Sequence, residues 1–170
     1  MRIPFPGSLA RLPFRPYFLA LFALCAGELC FGVFYLQEVK GLEPCPMCIM
    51  QRCALLAVGL IALAAAVHNR GPRIYGAFVT LAALAGGGVA VRQSWLQLNP
   101  PSIAECGPSL EYLMDSFSLT ELLPKLFRGA GDCSAVDWTF LGLSIANWGL
   151  VTFCGIVAVT LWMILRRAAR

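Results

Sequence analysis

Cys45-Pro46-Met47-Cys48 puts two thiols two residues apart, and Arg52 follows one helical turn later. A CxxC pair can close into a disulfide or open into two thiols. On a helix, positions 48 and 52 are i and i+4 and share a face. Pro46 suits a first helical turn, where its missing N–H does no harm. Cys48 then stands near the positive end of the helix dipole and beside a guanidinium, and both favour thiolate over thiol. An Arg at the head of an apolar helix is costly unless it has a task. The plain alternative for Arg52 is a side chain that snorkels to the membrane interface.

A thiolate half inside a bilayer, next to a fixed cation, can donate electrons to an apolar, lipid-soluble acceptor. A quinone meets that description, because its ring is flat and its carbonyl oxygens accept hydrogen bonds from Arg. The expected site is therefore Cys45 and Cys48 for thiol chemistry, with Cys48 and Arg52 facing the acceptor. Two further cysteines, Cys106 and Cys133, lie 27 positions apart in a polar region. The plain reading of these four thiols is two structural disulfides. That reading suits Cys106 and Cys133 better than Cys45 and Cys48, whose two-residue loop stabilises little. A zinc site is a second alternative, but C-x2-C followed by C-x26-C does not repeat the usual pair-and-pair spacing, and no metal is expected. Cys25, Cys30, Cys53 and Cys154 fall inside apolar stretches and read as small buried apolar residues.

The elements that must position these thiols are membrane helices. The chain has 170 residues, of which 59% are hydrophobic and 13% charged, and its mean hydropathy is +0.74. A soluble domain is about 45–50% apolar and about 25% charged. Four segments approach the roughly 20 apolar residues that cross a bilayer: about 17–36, 48–67, 74–95 and 145–165. The whole of 1–170 then reads as one integral membrane domain, an all-α four-helix transmembrane bundle. Gly86-Gly87-Gly88 in the third span lets neighbouring helices come close. Glu28 in the first span is costly in lipid and calls for a polar partner in the bundle.

Charge sets the orientation. Arg2, Arg11 and Arg15, then Arg70 and Arg73, then Arg166, Arg167 and Arg170 lie in three regions without Asp or Glu. The positive-inside rule puts those regions in the cytoplasm. The loops at about 37–47 and 96–144 then face outward, into an oxidising compartment such as the periplasm. The net charge of +4 is spread over these regions and forms no nucleic-acid patch. The first span lacks a clear A-x-A cleavage site and is read as retained. Leu110, Leu113, Met114 and Phe117, then Leu122, Leu123, Leu126 and Phe127, follow helical spacing in the long loop. They predict short amphipathic helices that lie on the bilayer or cover the bundle.

With these residues in view, Glu43-Pro44-Cys45-Pro46-Met47-Cys48-Ile49-Met50-Gln51-Arg52-Cys53-Ala54-Leu55 resembles the signature of the bacterial disulfide bond formation protein B (DsbB) family. Leu96-Gln97-Leu98 before Cys106, and Gly131-Asp132-Cys133 before Trp138-Thr139-Phe140-Leu141-Gly142, are similar too. The resemblance covers nearly the whole chain. It implies that Cys45 and Cys48 are the membrane-proximal redox pair, and that Cys106 and Cys133 are the loop pair taking electrons from a periplasmic DsbA-like thiol oxidase. It implies that Arg52 assists reaction with ubiquinone or menaquinone in the bacterial inner membrane. A DsbA disulfide lies near about −120 mV, so few protein disulfides can regenerate it. A two-electron gap of about 200 mV to the final acceptor contributes roughly 9 kcal/mol.

One departure stands out. Some members carry a His where this chain has Gln93, and the only histidine, His68, is in the predicted cytoplasmic loop. Proton transfer then needs water or another group. The competing readings are a specialised DsbB relative, a vitamin K epoxide reductase-like protein, and a non-catalytic scaffold braced by disulfides. The second would be expected to carry its CxxC at a late helix, after the loop pair, whereas here the CxxC comes first.

Overall fold

The computed structural model describes residues 14–100 and 133–168, with side chains described as far as Leu165. Cys106 and both predicted amphipathic runs of the loop lie outside the described residues. Helix α1 (Phe14–Cys30) continues without a break into a π-helical stretch, Phe31–Val39. Helices α2 (Pro46–His68) and α3 (Pro72–Leu98) follow. Strands β1 (Thr139–Phe140) and β2 (Leu143–Ser144) form a short antiparallel hairpin, and α4 (Ile145–Ala168) completes the described chain. Among the described residues, four segments are long and apolar enough to cross a membrane: Phe14–Val39, Pro46–His68, Pro72–Leu98 and Ile145–Leu165. The first three outrun the apolar cores read from sequence because helical hydrogen bonding carries on into the more polar flanks.

Consecutive helices pack side by side, α1 on α2, α2 on α3 and α3 on α4. Small residues make this possible. Gly86 of α3 faces Phe153 of α4 and Ala54 of α2, and an added Cβ would stand 2.4 Å and 2.8 Å from them. Of the three consecutive glycines only Gly86 makes so close an approach; Gly88 faces open space. The core is built from Phe18, Cys25, Val58, Ala62, Val79, Ala83 and Phe153, all buried.

Helices α1 and α4 do not pack along their length. They meet through two polar pins: Tyr17 with Thr160, and the Thr152 hydroxyl, which donates to Glu28 Oε1 at 2.7 Å. Thr152 thus supplies the partner that Glu28 requires. Cys25 is buried as expected, but Cys30, Cys53 and Cys154 are exposed on the bundle's exterior. Lipid rather than protein can satisfy a small apolar side chain there, so the sequence pattern alone does not separate the two cases.

Candidate functional site

The turn before α2 is a helix cap made of sulfur. Cys45 is the N-cap residue in an extended conformation, and Pro46 takes the first helical position. The backbone N–H of Cys48 donates to Cys45 Sγ at 3.3 Å. This geometry turns Cys45 Sγ back toward Cys48 Sγ, leaving the two sulfurs in contact at 2.8 Å. Cys133 reaches the same place from the far side of the long loop. It is fully buried, packs with Met47, Val89 and Leu96, and has Cys45 against this cluster. Its side chain is hydrogen-bonded to Cys45. Three of the four sequence-predicted cysteines therefore meet at one point.

Cys45 keeps its proton far above the usual thiol range. The hydrogen bond with Cys133 is the largest cause, followed by that with Cys48 and by burial. In a knot of three sulfurs, negative charge thus avoids Cys45.

Gln93 of α3 faces this knot. Its Nε2 donates to Cys45 Sγ and Cys48 Sγ, both at 3.3 Å. Its Oε1 accepts from Gln51 Nε2 at 2.6 Å. Both glutamines are buried. Gly149 of α4 makes room for Gln51, since a Cβ there would stand 2.5 Å from Gln51 Oε1. In the sequence Gln93 stands out only as a departure from a family pattern, and Gln51 carries no signal of a role by itself. The available signal was the cost of two uncharged polar side chains near the ends of apolar spans, which calls for partners. His68 instead bonds Tyr75 through Nδ1 at 2.8 Å, at the opposite end of α2.

Arg52 is held by the end of the first span and does not hang free at the interface. Nη1 donates to Gln37 Oε1 at 3.0 Å, and Nη2 donates to the Gly32 carbonyl at 2.9 Å. Both acceptors lie in the π-helical stretch, a type of irregularity often found at functional positions. The guanidinium is thus anchored on the outer end of the first span.

Between α1 and α4 lies a cavity of about 1320 Å³ that reaches Cys45, Cys48, Gln51, Arg52 and Gln93. Its walls include Leu24, Phe31, Leu36, Leu55 and Trp148, with Glu28 and Thr152 deeper in α1 and α4. The hairpin side carries an aromatic cluster: Phe31 against Trp138, Trp138 stacked on Phe140, and Phe140 beside Trp148. Trp148 Nε1 donates to the Phe140 carbonyl at 3.0 Å, tying the hairpin to α4. Ser144 ties it to α3, donating to Gln97 Oε1 at 2.6 Å. An apolar pocket with a few convergent polar groups is the usual form of a small-molecule site. A flat quinone ring fits this donor set: apolar walls for the ring, Arg52 for a carbonyl oxygen, and a reactive sulfur at the rim.

The protein family described as "Disulfide bond formation protein DsbB" matches residues 14–163. A protein called "Disulfide bond formation protein B" from Azoarcus sp. (strain BH72) is 58% identical over 159 residues, covering 92% of this chain and 95% of that protein. One of the same name from Aromatoleum aromaticum is 58% identical over 156 residues, covering 90% and 93%. Another from Saccharophagus degradans is 45% identical over 166 residues, covering 95% and 99%.

Proposed function

This chain belongs to the bacterial disulfide bond formation protein B (DsbB) family, and we propose that it is a protein-dithiol:quinone oxidoreductase of the inner membrane, with both termini cytoplasmic. In this reading it reoxidises a periplasmic DsbA-like thiol oxidase and passes two electrons to ubiquinone or menaquinone. The observation that carries it is the meeting of Cys45, Cys48 and Cys133 at the rim of a membrane cavity that also contains Arg52.

The exchange runs in balanced steps. A thiolate of the reduced partner attacks Cys106 of a Cys106–Cys133 disulfide. A partner–Cys106 bond forms, the Cys106–Cys133 bond breaks, and the electron pair stays on Cys133. The Cys133 thiolate attacks Cys45 of the Cys45–Cys48 disulfide, so a Cys133–Cys45 bond forms and Cys48 leaves as the thiolate. Contact between Cys133 and Cys45 supports this order. The partner's second thiol then releases it as a disulfide. Cys106 displaces Cys45 from Cys133, which restores the loop disulfide and leaves Cys45 and Cys48 reduced. A quinone, when bound, supplies the sink for two electrons and two protons. Arg52, fixed by Gln37 and Gly32, would hold its carbonyl oxygen, and Cys48, one helical turn from Arg52, is the sulfur proposed to hand over the electrons.

The test is to mix the purified protein with a reduced DsbA-like protein and a quinone and to follow quinone absorbance. Turnover is expected in the native chain. Cys106→Ser should abolish it while sparing direct reaction of the reduced CxxC pair with quinone. Unaltered turnover in that variant rejects the electron order. A scaffold braced by disulfides would show no quinone reduction at all, and Cys48→Ser would then leave partner function intact.

A further inference from the structure

We propose that Gln93 is a catalytic hydrogen-bond donor to the CxxC sulfurs, held in the donating orientation by Gln51, so that an uncharged amide pair takes up the negative charge released when the Cys45–Cys48 disulfide opens. The inference rests on the redox role proposed for this pair and adds the group that stabilises its leaving sulfur.

Geometry carries it. A glutamine amide has a donor end and an acceptor end, and only the donor end helps a thiolate. Gln93 presents Nε2 to both sulfurs at 3.3 Å. Turning the amide over would aim Oε1 at the sulfurs and set Nε2 against Gln51 Nε2, donor against donor. The 2.6 Å bond from Gln51 Nε2 to Gln93 Oε1 opposes that as long as Gln51 keeps its own orientation, although Gln93 Oε1 also lies 3.9 Å from Cys48 Sγ. Gln51 is packed close to α4, since its Oε1 lies where any side chain at Gly149 would collide. The buried pair thus joins α2 to α3 and ends on sulfur with the Gln93 donor.

When Cys133 attacks Cys45, the Cys45–Cys48 bond breaks and its electron pair goes to Cys48 Sγ. A bond from Gln93 Nε2 to a neutral disulfide sulfur is weak, and the same bond to a thiolate is charge-assisted and stronger. In the open pair the donor already stands against both sulfurs, the arrangement by which an oxyanion hole stabilises charge. The amide does not titrate, so it donates at any physiological pH. The titratable or charged groups around it are the cysteines 45, 48 and 133 and, one turn inward on α2, Arg52.

The test uses the oxidised full chain in detergent, with dithiothreitol as the attacking thiol and mass spectrometry of the CxxC peptide as the readout, which removes partner and quinone from the measurement. If the native Cys45–Cys48 pair forms no reducible disulfide, the redox reading itself fails. If it does, Gln93→Leu should slow reduction about ten- to hundredfold. It should also lower the reduction potential by about 30 mV, a tenfold change in equilibrium constant. Gln51→Glu removes the donor that orients Gln93 without altering a group that touches sulfur, and it should shift the potential in the same direction. Gln93→Glu keeps the shape. Its carboxyl donates when protonated and repels a thiolate when ionised, so its rate relative to native should fall as pH rises from 5 to 8. A native potential in Gln93→Leu, or a Gln93→Glu to native ratio that does not change with pH, overturns the proposal.

Discussion

The two ends of the bundle are built from different materials. At the end away from the CxxC, Phe18, Ala62, Ala65, Ala66 and Val79 interlock, with Gly76 drawing α3 against Ile164 of α4. At the CxxC end, smaller apolar and aromatic clusters are joined by polar contacts: sulfur on sulfur, amide on sulfur, amide on amide, guanidinium on carbonyl. The first region owes its cohesion to close packing, which in lipid replaces the hydrophobic drive that folds soluble proteins. The second spends packing quality on a cavity and on groups that must change partners. Holding strength and reactivity are thus assigned to opposite halves of the same four helices.

Substitutions should separate these halves. The largest effect is expected at the sulfurs. Cys48→Ser or Cys133→Ser should reduce partner-to-quinone turnover about a thousandfold or more, with thermal unfolding in detergent close to native. Phe18→Ala, at the opposite end, should do the reverse. It should cost on the order of 3 kcal/mol of stability, measured by denaturant titration, while turnover per folded molecule stays near native. If Phe18→Ala altered turnover more than stability, the division between the ends would be wrong.

Arg52→Leu should raise the KM for quinone about tenfold, by loss of a charged hydrogen-bond donor, while thiol exchange with the partner proceeds at the native rate. A smaller effect concerns pH. Because the Cys45 thiol is pushed up, chiefly by Cys133, it should remain protonated at pH 8 in the reduced protein and react slowly with iodoacetamide. An ordinary thiol, at about 8.5, is partly ionised there. Cys133→Ala removes the main cause, so Cys45 alkylation should speed up several-fold and its pH midpoint should move down. The smallest change should come from Thr152→Val, at about 0.6 kcal/mol of stability, typical of a hydrogen bond within a membrane bundle.

Much of this division can be read in the chain itself. Long apolar runs define the spans because burial in lipid admits no other composition. The CxxC and Arg52 stand out because each breaks an apolar pattern at a cost. The rest depends on register between helices, which no local pattern encodes. Gln51 and Gln93 meet only because α2 and α3 pack at one offset, and Gln37 reaches Arg52 only from the π-helical end of the first span. Cys133 comes to Cys45 after a long loop, and spacing alone left it compatible with a simple structural staple.

The gap between α1 and α4 has a kinetic consequence. A ligand that enters there can come sideways out of the leaflet without crossing water, so the concentration it obeys is its mole fraction among the lipids. Doubling the bilayer area around a fixed amount of quinone should slow a subsaturated enzyme as diluting a soluble substrate would, although bulk molarity is unchanged. The membrane is then both the enzyme's support and the volume in which its acceptor is counted.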